Sequence, residues 1–409
     1  MQDAAGITHN VLDRAGRALI GNYARLPVVM ERGSGSLLWD THGKRYIDLF
    51  AGFGGCVLGH CHPALTQAAI AQAGRLWHVG NTYHTEPQVE LAERLNKHAF
   101  AGQAFFCHSG LEANEAAVKL ARLRGSQQNP KKWKVVSFNQ SFHGRSLAMI
   151  AATGNPKVRD GFEPAVPGFS QVDLGDLEGF TAAIDDQTCA VLVEPIQGEG
   201  GVHPVPTEFA VELRRICDQR QMILIFDEVW TGCGRTGRWF GHQYLADAFG
   251  KVVQPDIMTL GKAIGGGLPV GAMLARPELG ALLVPGKHGC TLGGNPICMS
   301  VARTIFDVID REKLVERAAR LGESAVARLR NDPVIRERAV EVRGRGLFIG
   351  IELKSAAEGF VKAAVERGVI ANLTAQRVVR IAPPINIDQE LLDRGLGLVV
   401  ETIASLPTT

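Results

Sequence analysis

The sequence predicts an α/β protein: a large domain on an open, doubly wound, mostly parallel sheet, completed by a smaller α+β domain. Three observations lead there. Short apolar runs, too brief for helices and with little alternation, recur between residues 104 and 275 and alternate with helical stretches, as strands buried on both faces do. After residue 295 the texture changes to two long helical stretches followed by paired strands. Glycine supplies 47 of the 409 residues, well above the roughly 7% that is usual, which fits a backbone that turns sharply or lies close to a ligand.

Taken in order, LLWDTHGKRYIDL (37–49) reads as a hairpin around His42-Gly43. A helix over 86–100 leads to the strand AFFC (104–107), and a helix opens at once over 111–123. Strands follow at 134–138, 190–195, 222–226, 257–260 and 270–275, with a helix at 208–220 between two of them. Helices at 297–310 and 312–331 then precede AVEVRGRGLFIGIEL (339–353), two strands around a glycine turn. A helix at 356–367, a strand pair near 370–382 and a helix at 388–405 close the chain. The expected division is 1–50 as an N-terminal segment packing with the small domain, 51–295 as the large domain and 296–409 as the small one.

Composition narrows the function. Hydrophobic residues make up 45% and charged residues 21%, with a net charge of +2; this is a globular chain without the basic field that attracts nucleic acid or an anionic membrane. The eight cysteines are scattered with no C-x-x-C pair, as in a reducing compartment. The start shows neither a basic nor an apolar targeting region, and no apolar run nears the roughly 20 residues of a membrane span. A cytoplasmic location is expected. Gly232-Cys233-Gly234-Arg235-Thr236-Gly237 matches G-x-G-x-x-G, but no convincing helix opens after it, so a dinucleotide site is not expected. His60-Cys61-His62 lacks a partner cluster, and no metal is expected.

The informative residues sit at strand ends. Cys107-His108-Ser109-Gly110-Leu111 closes one strand and opens a helix, whose free N–H groups and dipole suit a phosphate, although Ser109 also serves as an ordinary N-cap. Asp227 ends a buried run, where the ligand crevice of such sheets lies. Lys262 follows the strand 257–260 and precedes the glycine-rich Ala263–Gly267. A phosphate-binding helix start, a strand-end acid and a strand-end lysine together match the needs of pyridoxal 5′-phosphate: an aldehyde-binding amine, a partner for the pyridine nitrogen and a phosphate site.

These residues lie within GHCHPAL (59–65), SGLEANEAAVKLAR (109–122), SFHGR (141–145), EPIQGEGGV (194–202), FDEVWTGCGRTG (226–237), GKAIGGGLPVGA (261–272) and HGCTLGGNP (288–296). Over nearly its whole length the chain resembles the class III aminotransferases of the fold type I pyridoxal-phosphate enzymes. The resemblance implies that Lys262 joins the cofactor, Asp227 pairs with its ring nitrogen, and Ser109, Gly110 and Leu111 hold its phosphate. It places Phe142 and Val229 on the two ring faces and has Thr291 reach the phosphate of a neighbouring subunit, which implies a homodimer with shared sites. Trp230 stands where the family commonly has glutamine. Asn81–Gln88, Arg343–Leu347 and 368–387 resemble the acetylornithine aminotransferase subgroup. The implied reaction moves the terminal amine of N-acetylornithine to 2-oxoglutarate, a step of arginine biosynthesis; ornithine, succinylornithine, 4-aminobutyrate and other ω-amines are the alternatives, with an aminomutase or racemase as the rival from another class. Arg145 would hold the remote carboxylate, Arg380 would serve the acceptor and pair otherwise with Glu199, and Phe53 would favour an acylated donor.

Overall fold

In a computed structural model, which describes residues 4–407, an N-terminal helix α1 (Ala4–Ala18) is followed by strands β1 (Met30–Ser34), β2 (Leu37–Asp40) and β3 (Arg45–Asp48). Helices α2 (Pro63–Ala73) and α3 (Glu86–His98) lead into the large sheet. Its first elements are β4 (Gln103–Cys107), α4 (Gly110–Gly125), β5 (Lys134–Phe138), α5 (Leu147–Ala152), β6 (Phe169–Val172), α6 (Leu177–Ala183) and β7 (Thr188–Val193). A two-stranded ribbon, β8 (Ile196–Gln197) and β9 (His203–Pro204), precedes α7 (Thr207–Arg220), β10 (Ile223–Asp227), β11 (Ile257–Leu260), β12 (Gly271–Ala275) and α8 (Pro277–Gly280).

The seven large-sheet strands run in the order β4-β12-β11-β10-β7-β5-β6. β12 is antiparallel to both neighbours, and the pairs β10–β11, β10–β7, β5–β7 and β5–β6 are parallel. Every residue of β7, β10, β11 and β12 is buried. The missing alternation is therefore that of strands buried on both faces, since helices cover both. Strand β7 stops at Val193, ahead of Glu194-Pro195, because proline has no N–H for the ladder.

Beyond the sheet come α9 (Pro296–Arg311), α10 (Leu314–Asn331), α11 (Pro333–Arg338), β13 (Ala339–Arg345) and β14 (Phe348–Leu353). Then follow α12 (Phe360–Glu366), β15 (Val369–Ile370), β16 (Asn372–Thr374), β17 (Val378–Ile381) and α13 (Gln389–Ala404). An antiparallel sheet of order β13-β14-β17-β16 forms here. β15 instead pairs with β3 in parallel, Val369 with Ile47 and Ile370 with Asp48, so the N-terminal strands share a sheet with the C-terminal part.

Three local expectations are corrected. The hairpin at 37–49 carries a third strand, β1, and a helix precedes it over Ala4–Ala18. Helix α12 starts at Phe360 rather than at 356, because Gly359 at φ +83° ends the preceding turn. Helix α2 and strand β6 stand where the sequence pattern leads to no expected element.

Candidate active site

The site forms because β4, β10 and β11 point their carboxyl ends at one edge of the sheet, where ligand crevices of this architecture lie. β4 delivers the start of α4. There Ser109 caps the helix, its hydroxyl accepting from the Glu112 N–H at 3.3 Å. Gly110 and Leu111 fall in the first turn, where N–H groups have no partner within the helix. β10 ends on Asp227, and β11 hands over to Lys262 through Gly261. The three ends touch. A Cβ on Gly110 would stand 2.4 Å from Val229, and one on Gly261 would stand 2.8 Å from the Gly110 nitrogen, so glycine is required at both. Lys262 itself takes the left-handed conformation, φ +46°, a strained choice for a side chain that tertiary packing must hold.

Asp227 is 3% exposed and carries three fixed partners. One carboxylate oxygen meets His143 Nδ1 at 2.8 Å and accepts from Asn114 Nδ2 at 2.8 Å; the other accepts from the Val229 N–H at 3.0 Å. Asn114 is held in turn by Thr259, whose hydroxyl donates at 2.6 Å, and donates to the His143 carbonyl at 2.9 Å. The far nitrogen of His143, Nε2, is buried without a partner among the described residues. Glu194 bridges two loops, accepting from the N–H of Phe142 at 2.8 Å and of Gly198 at 3.0 Å. Burial, with Asp227 nearby, pushes its carboxyl up to about 7 against the pull of His143 and the two N–H groups.

Burial also lowers Lys262, to about 8, with Arg380 adding repulsion and Glu199 opposing. Arg380 is fully buried. Its guanidinium donates to Glu199 at 2.9 Å, to the Gly198 carbonyl at 2.8 Å and to Asn372 Oδ1 at 2.8 Å. Burial would raise the Glu199 carboxyl, but Arg380 and Lys262 outweigh it and hold the group below its ordinary value. Trp230 lies between these groups, with the Lys262 ammonium 4.0 Å and the Arg380 guanidinium 4.5 Å from its ring centroid.

One cavity of about 330 Å³ collects Ser109, Gly110, Leu111, Phe142, Arg145, Asp227, Val229, Trp230 and Lys262 along its walls. Glu199 lines an adjoining cleft that shares Phe142 and Arg145. Two expected residues lie apart. Phe53 is 56% exposed and rests edge-on against Phe50, ring centroids 4.7 Å apart. Thr291 is exposed in a separate groove with Asn81, Phe105 and His288. Asn114, His143 and Glu194 were not singled out from the sequence, although all three stand inside motifs that were. The Gly232–Gly237 stretch packs against α10 and the β13–β14 turn, with Arg235 buried and donating to the Leu347 and Pro383 carbonyls. His60 pairs with Asp48 at 2.7 Å.

This geometry has close relatives. Residues 20–403 match the family described as Aminotransferase class-III. The acetylornithine aminotransferase of Myxococcus xanthus is 41% identical over 389 residues, 94% of this chain and 96% of its own. That of Gloeobacter violaceus is 44% identical over 95% of this chain and 96% of its own. Among solved structures, the ornithine aminotransferase from Toxoplasma gondii superposes with a TM-score of 0.91 at 30% identity, over 97% of this chain and 94% of its own. The N-acetylornithine aminotransferase from Stenotrophomonas maltophilia reaches 0.80 at 34% identity, over 96% and 98%.

Proposed function

This chain belongs to the class III aminotransferases, and we propose that it moves the terminal amine of N-acetylornithine to 2-oxoglutarate, giving N-acetylglutamate semialdehyde and glutamate. The observation that carries the reading is the pairing of two unlike walls in one site. Asp227 and Lys262 face one cavity, and beside it a buried arginine, Arg380, is neutralised by an acid, Glu199.

The residues present fit pyridoxal 5′-phosphate. Asp227 would hold the ring nitrogen, Ser109 with the Gly110 and Leu111 N–H groups the phosphate, Phe142 and Val229 the ring faces, and Lys262 the aldehyde carbon. Close approach of the backbone at Gly110 and Gly261, where a Cβ would collide, is what such a cradle needs. Bound there, the cofactor supplies an electron sink for charge that develops on the substrate carbon. The protein does the rest. With an amine lowered to about 8, Lys262 Nζ can take the proton from the amine-bearing carbon of the donor and return one to the acceptor. Arg145 would orient the remote carboxylate in both half-reactions. Arg380 would receive the carboxylate next to the reacting carbon of 2-oxoglutarate, and Glu199 would neutralise Arg380 while the donor is bound, since an unpaired buried guanidinium is costly. Phe53 would border the acyl end of the donor. Thr291, exposed in its own chain, would complete the phosphate site of a second copy, so the active form would be a homodimer.

Among the described residues no helix is long and apolar enough to cross a membrane. A panel of amino donors, offered with 2-oxoglutarate and with pyruvate, tests the reading. N-acetylornithine should give the highest kcat/KM, with 2-oxoglutarate preferred; faster turnover of ornithine or 4-aminobutyrate would move the assignment to that ω-amine.

A further inference from the structure

Trp230 occupies a place built for it. The indole is 5% exposed and stacks on Phe348, centroids 5.0 Å apart and planes within 8°. Two glycines cut the slot for its edges: a Cβ on Gly54 would come within 2.6 Å of the six-membered ring, and one on Gly198 within 2.6 Å of Cδ1 and 2.9 Å of Nε1. The indole nitrogen therefore faces the Gly198–Glu199 turn. It is buried and among the described residues donates to nothing within normal hydrogen-bond limits, yet it lies near enough to Glu199 to contribute to the lowering of that carboxyl, after Arg380 and Lys262. A buried N–H left unmade is expensive, unless another state of the molecule uses it.

We infer that Trp230 is a positioning residue of the acceptor half-reaction. Its N–H receives the Glu199 carboxylate when a substrate carboxylate takes Arg380, while its ring keeps the guanidinium in place through the exchange. This rests on the Glu199–Arg380 exchange proposed above and gives the released acid, whose side chain is 30% exposed, a fixed second partner in place of water alone. The ring face can hold Arg380 in either state, because a cation over an indole needs no directional partner. In the free protein the N–H makes no hydrogen bond within normal limits among the described residues, so removing it costs that state little. The loss falls on the state with a dicarboxylate bound.

The test uses glutarate, an unreactive dicarboxylate, and pentanoate, which can engage only one arginine, bound to the holoenzyme and followed by calorimetry. Trp230→Phe should bind glutarate at least about tenfold more weakly, the worth of one hydrogen bond to a charged group, and bind pentanoate as before. Benzothienylalanine at position 230, a near-isostere without the N–H, should behave in the same way and covers the case in which Trp230→Phe folds poorly. In a Glu199→Ala background neither change at 230 should affect glutarate. A loss that persists in that background, or equal losses for both ligands, or none, would overturn the inference. Arg380→Ala reports on the underlying reading by itself: unchanged glutarate binding there would sink the two-arginine reading. Weakened binding there with no effect at position 230 would remove only the role of Trp230.

Discussion

The two walls of the site are built on opposite plans. Around Asp227 the carboxylate is held by three fixed partners, Asn114, His143 and the Val229 N–H, and those partners are themselves tied to Thr259 and to the backbone. Around Arg380 the guanidinium meets partners of several kinds: a carboxylate, a carbonyl, an amide oxygen and the faces of Trp230 and Phe50. With the carbonyl, the amide oxygen and the two rings still in place, the carboxylate contact can be exchanged for another carboxylate without leaving the buried charge wholly unpaired. The first wall suits a group that stays and the second suits groups that alternate. Lys262 stands between them, strained in backbone and depressed in pKa.

Mutations at the junction and on each wall should therefore differ in size and in kind. Lys262→Ala removes the nucleophile and the proton carrier together, so turnover should fall by more than about a thousandfold. A folded protein with no borohydride-reducible link to pyridoxal phosphate should remain. Retained turnover would take Lys262 out of the junction. On the exchangeable wall, Arg380→Ala should weaken 2-oxoglutarate by about 2–4 kcal/mol, as loss of a buried charged partner does. The donor half-reaction should change less. Single-turnover rates of each half separate the two, and equal losses would erase the distinction between the walls.

On the fixed wall, Asn114→Ala takes away a neutral donor to a buried carboxylate, worth about 1.5–3 kcal/mol. Affinity for pyridoxal phosphate should drop by about tenfold or more, and both half-reactions should suffer alike because nothing on that wall can substitute. A loss confined to one half would mean that Asp227 also takes part in substrate selection. Cofactor affinity by fluorescence titration, set beside the two half-reaction rates, decides it.

The fixed wall is also the part that was harder to read from the sequence. Asp227 and Lys262 were legible because they end apolar runs, and a strand end in a parallel sheet is where chemistry collects. Asn114, by contrast, lies in a helix that reads as ordinary and becomes informative only when β11 brings Thr259 to within 2.6 Å of its amide. His143 and Glu194 were hidden in the same way, one behind its neighbours in SFHGR and the other ahead of the acid that drew attention in EPIQGEGG. Local pattern reports where a strand stops; which side chains meet across the sheet depends on strand order, which the apolar runs do not encode. The N-terminal region was the least legible part of the fold. β1 is mostly exposed, so it lacks the apolar signature of a strand, and β3 gains its partner β15 from more than three hundred residues away.

The smallest expected effect is the most specific to the exchangeable wall. Glu199→Ala removes the acid that neutralises Arg380, so the guanidinium keeps only Gly198, Asn372 and the two rings. Free of its counter-ion, it should attract any carboxylate placed beside the reacting carbon. Glutamate, an α-amino acid, should then react faster by several-fold up to about tenfold, the range of one charge-assisted contact. N-acetylornithine presents an apolar methylene at that point and should react more slowly, because an uncompensated buried charge now faces it. The sign of the change should thus be opposite for the two donors, which a general loosening of the site cannot produce. The pH dependence offers a second handle. Glu199 is held below its ordinary value by its cationic neighbours, and on acidification it protonates only below that ordinary range. The preference for N-acetylornithine over glutamate should accordingly persist through mildly acid pH in the wild type. In Glu199→Ala it should be reduced at every pH. Ratios of single-turnover rates for the two donors across pH measure this directly, and parallel slowing of both would show Glu199–Arg380 to be a permanent structural pair.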